Sequence, residues 1–303
     1  MIFLIGSIFL STYLTIAFKI CDRLGINTFQ AIVFNYFTCL VTGVFINGSV
    51  PAYSQNIYQP WFKWAVIMGT GFIISFNLIA FTVKKNGLAI AAVASKLSLI
   101  IPFTASIYLY NENAGVFKIA GICLALLAVV LTLYPSKIFG DKDDTRNSHI
   151  DLETIFLPLI VFLATGFLDT LVKYVEKSFL TPANSNEYLV TSFTVAFLAG
   201  FIYLLCLVAA KKIKVQLKAL LAGLLIGIPN YFSIWCLMKV LKIYEGSSSV
   251  IFPVNNMGIV LLSALLAWIV FKEHLSRLNW IGIVLSIFAI LMIAFGNYLK
   301  YVI

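Results

Sequence analysis

Ten stretches of about twenty mostly apolar residues succeed one another along this chain, at 2–20, 29–47, 62–83, 88–110, 115–134, 155–175, 187–209, 217–240, 247–271 and 279–299. A helix of that length crosses the hydrocarbon core of a bilayer, because each residue adds about 1.5 Å. The expected class is therefore an all-α integral membrane protein with ten transmembrane helices. Only 11% of the residues are charged and 61% are hydrophobic. A soluble domain carries roughly 25% charge, so this chain cannot cover itself with polar groups, and its solvent is lipid. The formal charge of +9 does not indicate nucleic acid. Lys and Arg lie in small groups between apolar runs and form no basic face; they read as loop charges of a membrane protein. Cys21, Cys39, Cys123, Cys206 and Cys236 are too scattered for a zinc site or a disulfide frame. The opening run MIFLIGSIFLSTYLTIAFK has no basic leader and reads as a first membrane helix.

The one clearly polar stretch, GDKDDTRNSHIDLE at 140–153, reads as a solvated linker. It divides the chain into five segments at 1–139 and five at 154–303. The halves resemble each other. YNENAGVFKIAGICLALLAVVL (110–131) lies over FKEHLSRLNWIGIVLSIFAILM (271–292), bringing Glu112 onto Glu273 and Gly121 onto Gly282. YLTIAFK (13–19) lies over FLDTLVK (167–173), bringing Lys19 onto Lys173. A unit of five spans starts and ends on opposite sides of the membrane, so the second copy enters upside down. Two inverted five-helix repeats are the plan many secondary transporters use for alternating access.

The whole pattern resembles the drug/metabolite transporter superfamily in its ten-span EamA-like form. The resemblance rests on the two five-helix halves, on Lys19 and Lys173 late in the first helix of each, and on LYNENAGVFKIAG and VFKEHLSRLNWIG, where an apolar helix ends in Glu before a short connector and a Gly. It implies a small-solute carrier with a central cavity lined by helices one to four of each half. Two departures blur the substrate. Asn35 and Thr191/Ser192 stand in second helices that often carry Arg in the family, and Ser263 stands opposite Pro102.

Polar groups inside the spans are the candidate site. Lys96 falls near the middle of 88–110, where a lysine costs about 2.5–3.5 kcal/mol on insertion scales. A cavity wall or a counter-charge would reduce that cost, so Lys96 is expected to face a cavity and attract an anionic group; the bland alternative is snorkelling. Under the repeat, Lys96 meets Met257 and Ser95 meets Asn256, an asymmetry that favours recognition over architecture. Pro253 in FPVNNMG, with Asn255 and Asn256 behind it, is expected to break its helix and free carbonyls toward the site. Pro229 with Asn230, and Pro102 beyond Lys96, repeat the theme. Asn35, Asn77 and Trp235 complete the substrate-binding candidates, although membrane amides commonly bond across helices. Asp169 has Lys173 at i+4 and is the candidate for proton coupling.

No catalytic cluster, metal-ligand spacing or phosphate loop is present. Glu112 and Glu273 are placed on opposite membrane faces, and His149 and His274 fall in a linker and a connector. Basic residues favour the face of Lys84, Lys85, Lys211 and Lys212, which puts both termini outside; the family resemblance implies the reverse, and orientation stays open between the two. The functional reading is a secondary-active transporter, an exporter or exchanger of a small polar or amphipathic metabolite, in a bacterial inner or plasma membrane. The alternative is a non-transporting polytopic protein, an accessory subunit or a lipid-modifying enzyme. Expected partners are a small-molecule substrate, the lipid bilayer, a coupling proton or ion and a second copy in a homodimer, with no nucleic acid, cofactor or metal.

Overall fold

The computed structural model describes residues 1–48, 56–86, 88–112, 115–132, 152–272 and 275–299. Most of the 140–153 linker, His149, Glu273 and His274 lie outside the described residues. Among those described, every regular element is an α-helix: α1 (Ile2–Arg23), α2 (Thr28–Asn47), α3 (Phe62–Asn86), α4 (Leu88–Leu97), α5 (Ile100–Tyr110), α6 (Val116–Thr132), α7 (Leu152–Phe179), α8 (Ser185–Ala209), α9 (Leu217–Ile243), α10 (Ser248–Phe271) and α11 (Arg277–Leu299). Nine spans among them are long and apolar enough to cross a membrane, α4 and α5 counting as one, and α6 is a shorter apolar helix of 17 residues. Seventeen residues stand at the lower end of the spanning range of about 17–25.

The ends of these helices follow local chemistry. Asn27 caps α2 by accepting from the Gln30 amide, and Gly48 closes it with φ 73°. Asn111 closes α5 and Lys272 closes α10, both with φ 52°. These two residues are equivalents in the register that lays Glu112 on Glu273, and their amides reach the equivalent carbonyls of Ser106 and Ala267. A non-glycine residue is uncommon in this left-handed region, and it stands at both of these positions.

One expected span is divided. Residues 88–110 form α4 and α5, with Ser98 and Leu99 between them. Pro102 has no N–H for the Ser98 carbonyl, which instead accepts from Ile101 at 2.9 Å. The other two prolines do not behave as the sequence suggested: α9 runs unbroken through Pro229 and α10 through Pro253. Pro229 leaves the Leu225 carbonyl without its helical donor, and the Tyr13 hydroxyl donates to that oxygen at 3.4 Å.

The helices gather into two compact units, each drawing on both sides of the linker: Met1–Asn77 with Leu168–Glu245, and Leu78–Phe167 with Gly246–Ile303. In the first unit, α9 packs against α2 through Gly223 and Gly227. A Cβ at Gly223 would stand 2.8 Å from the Asn35 amide nitrogen, and one at Gly227 2.7 Å from the Asn35 carbonyl oxygen. Two glycines four apart let the helix backbones approach this closely, the usual device of membrane helix packing. Tyr36, Phe72, Phe193 and Tyr231 fill the interior beside them.

In the second unit, α6 and α11 pack antiparallel with reciprocal glycine contacts. Gly121 lies against Met292 and Ile293, and Gly282 against Leu131 and Thr132. Leu99, Phe103, Ala125, Met257, Val260 and Ala289 fill the core of this unit.

Candidate functional site

Lys96 lies in the last turn of α4, two residues before the break at Ser98. The break is not bare. The Leu99 amide donates to the Lys96 carbonyl at 3.3 Å, and the Ser98 hydroxyl donates to the Ser95 carbonyl at 2.6 Å. The Lys96 side chain is half-buried, and its Nζ donates to Asn256 Oδ1 on α10 at 3.4 Å. Asn255 and Asn256 are both buried, and Asn255 Oδ1 has no hydrogen-bond partner among the described residues. Ser95 is half-buried, next in sequence to Lys96. The second unit thus holds an ammonium, two amides and a hydroxyl-bearing residue around the junction of α4 and α10. This set can hold an anionic or strongly accepting group through Lys96 and a donor through Asn255.

The remaining candidates lie in the first unit. Asn230 Nδ2 donates to Asn35 Oδ1 at 3.1 Å, so these two amides bond α9 to α2. Asn77 Nδ2 turns back to the Ile73 carbonyl of its own helix at 2.7 Å. Trp235 packs edge-on against Phe3, with Lys239 Nζ 5.3 Å from its ring centre. Asp169 is half-buried on α7.

Two buried polar clusters were not read from the sequence. In the first unit, Lys173 Nζ donates to Glu176 Oε2 at 3.0 Å, with both side chains about 3% exposed. Their spacing, three residues on one helix, is a legible signal, but Asp169, four residues before Lys173, offers the same helical reach. In the second unit, Glu112 caps the N-terminus of α10. Its Oε1 accepts from the amide and hydroxyl of Ser248, and its Oε2 accepts from the Ser249 amide at 2.7 Å. Lys118 Nζ donates to the Ser249 hydroxyl at 3.3 Å. Burial pushes the Glu112 pKa up, but the Ser248 and Ser249 hydroxyls and amides outweigh it and hold the carboxyl below its usual range. Nothing local could reveal this partnership, since Glu112 and Ser248 are 136 residues apart.

The helices and their length define a multi-pass integral membrane protein. Residues 152–295 match the EamA-like transporter family, which supports the drug/metabolite transporter superfamily for this chain and bears out the resemblance seen in its sequence. The match points to a membrane transporter of the drug/metabolite type rather than to an enzyme. An uncharacterized protein of Haemophilus influenzae is 27% identical over 294 residues, covering 95% of each chain. A solved crystal structure aligns with 96% of this chain and 94% of its own with a TM-score of 0.72 at 15% identity, a likeness of fold.

Proposed function

We propose that the protein is a secondary-active carrier, exporting or exchanging a small polar or amphipathic metabolite by alternating access of two inverted halves, 1–139 and 154–303, joined by the 140–153 linker. Lys96, Ser95, Asn255 and Asn256 hold the substrate. The observation that carries this reading is the half-buried Lys96 ammonium, 3.4 Å from Asn256 Oδ1, where a helix breaks in mid-span. Irregular backbone at membrane depth, beside a polar side chain, is a pointer to carrier binding sites.

Inversion draws support from α6 and α11. In the register that lays Gly121 on Gly282, Leu131 falls on Met292 and Thr132 on Ile293. Each glycine therefore meets the equivalents of the residues that meet the other. An antiparallel pair with self-complementary contacts is what a two-fold axis across the helices produces.

The test begins with a thermal-shift screen of the purified protein against metabolites at several pH values. Ligands with an anionic group should stabilise the wild type, and Lys96→Met should fold normally yet lose both that stabilisation and transport in proteoliposomes. Transport unchanged in Lys96→Met refutes the site. Asp169 belongs to the proposal as the proton-coupling group: Asp169→Asn should abolish flux driven by an imposed pH gradient while leaving substrate exchange intact. Equal gradient-driven flux in the variant removes Asp169 from the mechanism.

A further inference from the structure

A pocket lies wholly within the first unit, where α7 ends, α8 begins and α9 nears its end. It is a cavity of about 40 Å³ whose lining includes Glu176, Leu189, Trp235, Met238, Lys239 and Lys242. A water needs roughly 10–15 Å³ on the same measure, so the cavity admits about three water-sized groups. That is room for a head group, not for a whole metabolite.

Three groups around it keep a hydrogen-bonding position that no protein atom among the described residues fills, Glu176 on only one of its two oxygens, since Lys173 already takes Oε2 at 3.0 Å. Glu176 is 2% exposed, and its Oε1 accepts no hydrogen bond. Lys242 Nζ stands 3.9 Å from that oxygen and is committed to Glu245 at 2.9 Å. The buried Trp235 Nε1–H has no acceptor. Lys239 rests over the Trp235 ring and pairs with no carboxylate among the described residues. Buried polar groups are normally satisfied, and an unsatisfied charged one is costly.

The three needs differ in sign. A simple anion would answer Lys239 and Trp235 but be repelled by Glu176. A simple cation would answer Glu176 and be repelled by the lysines. A zwitterion answers all three, with N–H donors toward Glu176 Oε1 and an anionic oxygen toward Lys239 and Trp235 Nε1. We propose that this pocket binds the head group of a primary-amine zwitterion, an ammonium and an anionic oxygen joined through two carbons. Leu189 and Met238 offer the apolar wall for the connecting carbons. The place, at the ends of three membrane helices, suits either an aminophospholipid head group entering from the bilayer or a soluble zwitterion entering from water. The ammonium must be primary: a trimethylated one has no N–H for Glu176.

The test uses the full chain in phosphatidylcholine nanodiscs, titrated with O-phosphoethanolamine and with phosphocholine. A parallel arm compares thermal stability in phosphatidylethanolamine and phosphatidylcholine nanodiscs. The expected result is at least tenfold tighter binding of O-phosphoethanolamine than of phosphocholine, or selective stabilisation by the ethanolamine lipid. The first result identifies a soluble source, and the second alone a lipid source. Lys239→Met and Trp235→Phe, which keeps the ring and deletes the N–H, should each weaken the selective effect by roughly tenfold. Indifference to the ammonium in both arms, as ordered water alone would give, overturns the proposal. So does selectivity that survives unchanged in both variants.

Discussion

Glu112→Gln and Glu112→Ala test whether the carboxylate that caps α10 holds the second unit together. The wild-type carboxylate takes three hydrogen bonds, two from backbone amides at a helix N-terminus and one from the Ser248 hydroxyl. Lys118 is 4% exposed and lies one hydroxyl away, on Ser249. A hydrogen bond to a charged group contributes about 1.5–3 kcal/mol, and a carboxylate near a helix N-terminus adds up to about 2 kcal/mol. Gln keeps one acceptor but turns an NH₂ toward a backbone donor, so Glu112→Gln should cost about 2 kcal/mol. Ala leaves two amides, a hydroxyl and a buried lysine uncompensated and should cost about 3–4 kcal/mol, near the range for breaking a buried ion pair. The sign with pH follows from the lowered pKa. The cap contributes fully above the unfolded-state value of about 4.3 and is lost as pH falls through the lower folded-state value. The stability gap between wild type and Glu112→Gln should therefore hold constant from neutral pH down to about 5 and close in acid. Reversible unfolding in mixed micelles, followed by helicity across pH, measures it. An Ala variant within about 0.5 kcal/mol of wild type would refute the reasoning.

Gly282→Ala should destabilise more than Gly121→Ala, because the new methyl at 282 meets backbone, with the Leu131 carbonyl carbon at 2.8 Å, whereas at 121 it first meets the Ile293 side chain at 2.7 Å, which can give. Overpacking of this kind costs about 1–3 kcal/mol, and melting of the two variants side by side checks the order. A double-mutant cycle on Asn35 and Asn230, each changed to Ala, should return a coupling of about 0.6 kcal/mol and no more than about 1.7; zero coupling would mean the 3.1 Å bond between them contributes nothing to joining α2 and α9.

Much of the fold was legible because lipid imposes a length on every span. The expected ends lie within a few residues of the observed ones. What the prolines do was only partly legible. Pro102 and Pro253 both remove a donor, yet Pro253 is the sixth residue of α10, close to the turn whose amides need no helical partner, and the helix continues. Pro102 falls in the middle of its span, and there the chain divides. Among the candidate residues, Lys96 was legible from its cost in lipid, and its Nζ lies 3.4 Å from Asn256 Oδ1. Glu176 was not, because Asp169 offered Lys173 an equally good helical spacing and only packing chooses between them. The Glu112 cap needed two segments that pair only in three dimensions.

In the proposed repeat, the residues that differ between the copies are those proposed to hold the substrate. The left-handed caps at Asn111 and Lys272 match, as do the reciprocal glycines of α6 and α11. Against that matched scaffold, one copy of the fourth span carries a lysine and a break, and the other an unbroken helix with two amides. Packing alone would favour the same solution in both copies, since a central lysine costs about 2.5–3.5 kcal/mol. A symmetric ligand would ask for the same groups twice. Under the proposed repeat, an ammonium from one copy bonded to an amide from the other suits a ligand with two chemically different ends, its acceptor toward Lys96 and its donor toward the Asn255 oxygen. Exchanging the pair, as Lys96→Asn with Asn256→Lys, keeps the two groups within reach of each other and should then fail to restore transport, because the acceptor end would be read from the wrong side. Full rescue by the swap would show that the charge alone mattered, without its place.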